Sequence, residues 1–135
     1  LPEVPLSVTV PHVLPLSQQE RLALELAEAG ADLIQTEGGT SARPFSAGAQ
    51  GLIEKAAPTL AAAHCISRAL QAGARPLPVL CASGLSAVTV PLALAAGASG
   101  VGVGSAVNRL EDELAMLAVV RSLREALGSG NRVAI

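Results

Sequence analysis

Apolar residues in this chain follow two alternating patterns: short unbroken runs, and longer stretches in which they recur every three to four positions. The runs at 6–10 (LSVTV), 32–36 (DLIQT), 78–82 and 99–103 are β-branched or apolar and fenced by Pro, Gly or polar residues, so they read as strands. The stretches between them read as helices. Ser17 with Glu20 three residues on has the form of a capping box, Leu22, Leu26 and Ala29 share a face, and Gly30 is the stop. A loop with little regular pattern follows from Glu37 to about Gly51, long enough to be functional. Ile53 opens the second helix, with Pro58 expected in its first turn. There Leu60, Ala63, Ser67 and Leu70 line one face as far as Gly73. In the third helix, near 87–96, Pro91 demands either a late start near Thr89 or a kink. The last helix is expected to be capped by Asn108 with Glu111 at the third position. Its face runs through Met116, Val120, Leu123 and Leu127 and it stops at Gly128. This makes 1–128 one α/β domain and 129–135 a flexible tail.

Four βα units in a row predict parallel strands joined by right-handed crossovers. The turn from helix into strand recurs, as AEAGADLIQTEGG at 27–39 and LAAGASGVGVGSA at 94–106. A doubly wound sheet could use four units, whereas a closed (β/α)8 barrel needs twice as many strands and about 250 residues.

Composition narrows the chemistry. At 135 residues the chain can bury one core, and the absence of Trp and Tyr, with one Phe, leaves Ala, Leu, Val and Ile to build it. A net charge of −2 gives no pull towards nucleic acid or an anionic membrane, and no apolar run approaches the ~18 residues of a membrane span. No basic n-region with a small-residue cleavage site appears at the start, so secretion is not expected, and Leu rather than Met at position 1 suggests a missing N-terminus. Cys65 and Cys81 do not make a disulfide framework and are expected to be small buried hydrophobes.

The richest stretch is PVLCASGLSAVTVPLALAAGASGVGVGSAVN, residues 78–108. Two strands in succession run straight into small residues, Ser83-Gly84 and Gly104-Ser105, where backbone amides could point at a phosphate. The alternative is that these glycines only let helix and strand pack closely. This stretch, together with IQTEGGTS (34–41) and GLIEKAAPTLAAAHCISRAL (51–70), closely resembles the hypothetical chloroplast reading-frame family numbered twenty-three, found in plastids and cyanobacteria. The resemblance covers about Leu6 to Leu127, and departs at SARPFSAGAQ after Thr40 and at QAGARPL before Pro78. It implies a TIM barrel of the phosphate- or flavin-binding kind, with this chain as strands five to eight.

That resemblance implies a small phosphorylated ligand, FMN among the candidates, held by Ser83, Gly84 and Leu85 on one loop and Gly104, Ser105 and Ala106 on the next. It implies a plastid or a cyanobacterial cytoplasm, and as partner an N-terminal half or a second copy. Period-two alternation puts Gln35 and Glu37 opposite apolar Ile34, hence towards the barrel mouth. Glu37 could there act as a base, hold a substrate hydroxyl or bind a ribityl chain. Equally it could be a structural carboxylate paired with Lys55 or Arg43, or simply solvated. His12, at the same end, is either its acid–base partner or an ordinary loop histidine. His64 reads as packing or surface, and Arg43 as a phosphate clamp or a solvated side chain. No metal-ligand spacing exists, and no lysine at a strand end suits a Schiff-base aldolase. A phosphate- or flavin-dependent enzyme, a non-catalytic regulator and a structural barrel protein all remain open.

Overall fold

Alternation along the second strand decides which way the sheet faces: Ile34 and Thr36 are buried, while Gln35 and Glu37 are only half so. In the computed structural model, which describes residues 3–38 and 43–133, the strands are β1 (Ser7–Thr9), β2 (Leu33–Gln35), β3 (Val79–Ala82) and β4 (Gly100–Gly102). They form one parallel sheet in the order β1-β2-β3-β4. That order has no reversal point, so the doubly wound alternative is not what the chain adopts. Register aligns Thr9, Gln35, Leu80 and Gly100 in a row across the face without helices, and all four keep solvent contact. The row Val8, Ile34 and Val79 points the other way, into the core.

The helices are α1 (Leu16–Ala29), α2 (Gly48–Ala72), α3 (Val90–Ala95), α4 (Ser105–Asn108) and α5 (Glu113–Val133). Helix α1 packs on α2 and α3 on α5. Ala23 and Ala27 of α1 and Ala56, Ala62 and Ala63 of α2 are buried, small enough to bring the two helices close over β2 and β3. Ile34, Ile66, Leu70, Val10, Val79 and Val90 supply the bulk of the core. Phe45, the only Phe, Tyr or Trp in the chain, is fully exposed.

Several helix ends depart from the sequence expectation. Helix α1 starts after Pro15 with no side-chain cap, so Ser17 and Glu20 do not form the capping box; the Gly30 stop, left-handed at φ 111°, is where the pattern puts it. The buried face of α1 centres on Ala23 and Ala27, with Leu22 and Leu26 half-buried beside it and Ala29 exposed. Helix α2 begins at Gly48, inside the expected loop, which makes Pro58 an interior residue. Its start is fixed from within the helix: the Glu54 carboxylate accepts the Phe45 and Ser46 N–H groups (2.7 and 3.2 Å) and the Ser46 hydroxyl (2.7 Å). The face through Ala63, Ser67 and Leu70 is buried as expected, with Leu60 packed at its margin.

Helix α3 takes the late start that Pro91 requires. Asn108 ends the short α4 rather than capping the last helix. The cap of α5 is Asp112, whose Oδ2 accepts the Ala115 N–H at 3.1 Å. Helix α5 continues past Gly128 to Val133, through most of the stretch expected to be a flexible tail. On it Leu123 is buried, Met116 and Leu127 are half-buried, and Val120 is exposed beside Leu114 and Leu117. Cys81 is buried, whereas Cys65 is only half-buried.

At the other end of the sheet, Arg75 holds the α1–β2 turn. Its Nη1 donates to the Ala27 and Ala31 carbonyls (2.6 and 2.7 Å), and its Nη2 meets Asp32 at 3.3 Å.

Candidate functional site

The carboxyl ends of β2 and β3 are joined by a buried hydroxyl relay. Thr59 on α2 donates to the Ala82 carbonyl. The Thr36 hydroxyl, just beyond β2, donates to Thr59 Oγ1 at 2.7 Å and accepts the Ala82 N–H at 3.1 Å. Every donor in the relay has a partner, which makes it a fixed platform for the turn that follows. In that turn Ser83 and Gly84 are both left-handed, at φ 82° and 74°. Glycine takes this conformation freely; Ser83 takes it at a cost of about 1–3 kcal/mol. Close by, a Cβ on Gly38 would come within 2.9 Å of Ser83 Oγ, so the exit of β2 and the turn after β3 touch.

Beyond this platform lies a cavity of about 500 Å³, lined by Ser83, Gly84 and Leu85 on one side and Gly104, Ser105 and Ala106 on the other. The two bare loops singled out in the sequence therefore face a common space. A Cβ on Gly104 would meet nothing within 4 Å, and its φ of −118° needs no glycine, so this residue is bare towards the cavity without being required for packing. By contrast Gly100 and Gly102 are packing glycines, against Leu80 and Ala82.

Two cations complete the lining: Lys55 of α2 and Arg109 at the end of α4. No carboxylate is among the described residues that line this cavity. The sequence reading left both cations out of the loop site. Lys55 stands one helical turn before Thr59, which reaches the end of β3, so Lys55 extends past the strand end. Arg109 is one turn after Ser105. Those spacings are the signal in the sequence.

Glu37 and His12 are brought together, though in a different cleft. Glu37 Oε2 accepts the His12 backbone N–H at 3.0 Å and faces His12 Nδ1 at 2.7 Å. Both side chains are about 40 % exposed (40 % and 43 %). The two bonds from His12 hold the Glu37 carboxyl below its usual range. The dyad lines a cavity of about 280 Å³ with Gln19, Pro58 and Ala61, and shares no lining residue with the cavity at the glycine-bearing loops. Neither Lys55 nor Arg43 pairs with Glu37. Lys55 faces the other cavity, and Arg43 is exposed. Gln35 lies on the uncovered sheet face and lines neither cavity. His64 is exposed on α2, its Nδ1 3.3 Å from the Ala96 carbonyl. Among the described residues no three His, Cys, Asp or Glu gather as metal ligands, and no helix is long and apolar enough to cross a membrane.

The sequence model of a family described as a protein of unknown function (DUF561) matches residues 1–133. Curated relatives called "Uncharacterized protein ycf23" are 35 % identical over 98 % of this chain in Porphyra purpurea, 36 % over 97 % in Cyanidium caldarium and 39 % over 91 % in Cyanophora paradoxa. The chain spans about half the length of these relatives, 48 %, 50 % and 48 % respectively. A designed, cube-shaped, highly porous protein cage aligns with 93 % of the chain and 53 % of its own, at a TM-score of 0.47 and 13 % identity.

Proposed function

This chain belongs to the DUF561 family and is similar to the ycf23 proteins, and from there we propose that it binds a small phosphorylated molecule at the carboxyl ends of β3 and β4. The observation that supports this most is the meeting of two cations, Lys55 and Arg109, with two side-chain-poor loops around one cavity. A phosphate monoester carries close to two negative charges at neutral pH, matching the two cations, while the loop amides supply directional donors. FMN is such a monoester, and the donor set suits its phosphate as it suits a sugar phosphate.

The sequential, reversal-free strand order supports reading the chain as four strands of a (β/α)8 barrel, strands five to eight by resemblance. On this reading the uncovered row Thr9, Gln35, Leu80 and Gly100 faces a second set of strands, from an N-terminal half or another copy. The His12–Glu37 dyad lines its own cleft at the same end of the sheet, where it could move a proton on the part of a ligand that extends beyond the phosphate cavity: Glu37 fixes the ring through Nδ1 and leaves Nε2 to react. The algal ycf23 relatives favour a plastid as the compartment, with the cytoplasm of a cyanobacterium the alternative by resemblance alone.

Calorimetric titration with inorganic phosphate and with FMN tests the reading. Each charge-assisted hydrogen bond contributes about 1.5–3 kcal/mol, so Lys55→Gln and Arg109→Gln should each weaken binding roughly 10- to 100-fold. Gly104→Val should weaken it without disturbing the fold, since its side chain enters the cavity. Unchanged affinity in all three variants removes the proposal, and a flavin absorbance band in the purified protein selects FMN among the monoesters.

A further inference from the structure

The smaller cavity has chemistry of its own that proton transfer by the dyad does not use. Its floor carries Gln19, which is 5 % exposed, and whose Oε1 is buried with no hydrogen-bond partner. The amide cannot be turned to relieve this, because Nε2 already donates to the Leu14 carbonyl at 2.8 Å. A buried acceptor without a donor destabilises a folded protein and is uncommon unless something arrives to meet it.

The cavity also holds the Glu37 carboxylate. Both bonds from His12 fall on Oε2 of Glu37, and Oε1 of that carboxylate makes no hydrogen bond among the described residues. With Nδ1 engaged by Glu37, Nε2 of the His12 ring makes no hydrogen bond among the described residues. The remaining walls are apolar: Leu14, Leu16, Pro58 and Ala61.

We propose that the cavity between the start of α1 and the middle of α2 is a binding site for a small organic ammonium group, whose N–H donors meet Gln19 Oε1 and Glu37 Oε1 while a short aliphatic body lies on Leu14, Pro58 and Ala61. A carboxylate and an unpaired amide oxygen are poor partners for an anion. The volume of about 280 Å³ admits a body of a few carbons, not a nucleotide or a peptide. The site is separate from the phosphate reading and stands without it: the two cavities share no lining residue.

The test is NMR titration of the protein with butylammonium, butanol and butyrate, following the His12 ring and the Gln19 side-chain amide. Butylammonium should give saturable shifts at both residues, butanol weaker ones, and butyrate none. Glu37→Gln should weaken butylammonium about tenfold, the effect of roughly 1.4 kcal/mol, and leave butanol unchanged. Gln19→Leu, of similar volume, should weaken both. Absence of a saturable shift with butylammonium in the unsubstituted protein overturns the proposal, as does butyrate moving the same signals equally. Phosphate affinity measured in parallel on Gln19→Leu should be unaltered, so failure of one site is distinguishable from failure of the other.

Discussion

Glu37 gives one oxygen to two donors of a single residue, the backbone N–H and the ring nitrogen of His12. That double contact lowers its carboxyl pKa from the usual 4.5. For a group depressed on folding, the interaction is fully in place above the ordinary carboxylate range and disappears as pH falls through the lowered value. Titration of the Glu37 side-chain carbon should therefore show a midpoint below 4.5, with His12 ring shifts tracking the same step. A midpoint at or above the ordinary value would mean that the pair does not form. The thiol of Cys81 moves the opposite way. Burial pushes it up and outweighs the contacts with Thr59 and Thr36 that pull it down, so it stays an unreactive part of the core.

Among the elements, α2 does the most to build the site. It carries Thr59 to the end of β3 and Lys55 beyond it, and its start depends on Glu54 rather than on a capping side chain. Glu54→Ala should speed hydrogen exchange of amides 45–52 and leave 60–70 protected; uniform protection would show that the clamp is dispensable. The same element shows why legibility in the sequence was uneven. Periodicity revealed the strands, the buried face Ala63–Ser67–Leu70 and the late start of α3, because each follows from local pattern or from the missing N–H of Pro91. It missed the start of α2, where SAGAQG reads as loop and the determinant is a carboxylate two turns inside the helix. It misplaced the cap of α5 by choosing Asn108 over Asp112, two residues equally suited in type and separated only by residues 109–111. The two glycine-bearing loops were legible as bare backbone. Lys55 and Arg109 were not, because placing them requires knowing which helix end overhangs which strand. Glu37 and His12 were legible as neighbours at one edge, but nothing local showed that they open on a separate cavity.

At the level of the whole molecule, the sheet is covered on one face only, and its outer strands, β1 and β4, each pair on one side. Exposed Leu114, Leu117 and Val120 lie along α5, and Leu6 is exposed just before β1. Surfaces of this kind associate or destabilise the unit that bears them. Sedimentation velocity on the 135-residue chain should accordingly show association or a partly molten species. A monodisperse monomer with cooperative unfolding would mean that the open face is stable in water. The outward position of Phe45 bears on how any occupant could be seen. With the only benzenoid side chain turned to solvent, the interior holds no ring to shift its neighbours, apart from two imidazoles that are themselves exposed. The methyl spectrum of the unliganded protein should therefore lack strongly upfield resonances. A valine or leucine methyl displaced in that direction by an added flavin or nucleotide would report stacking directly, against an empty background.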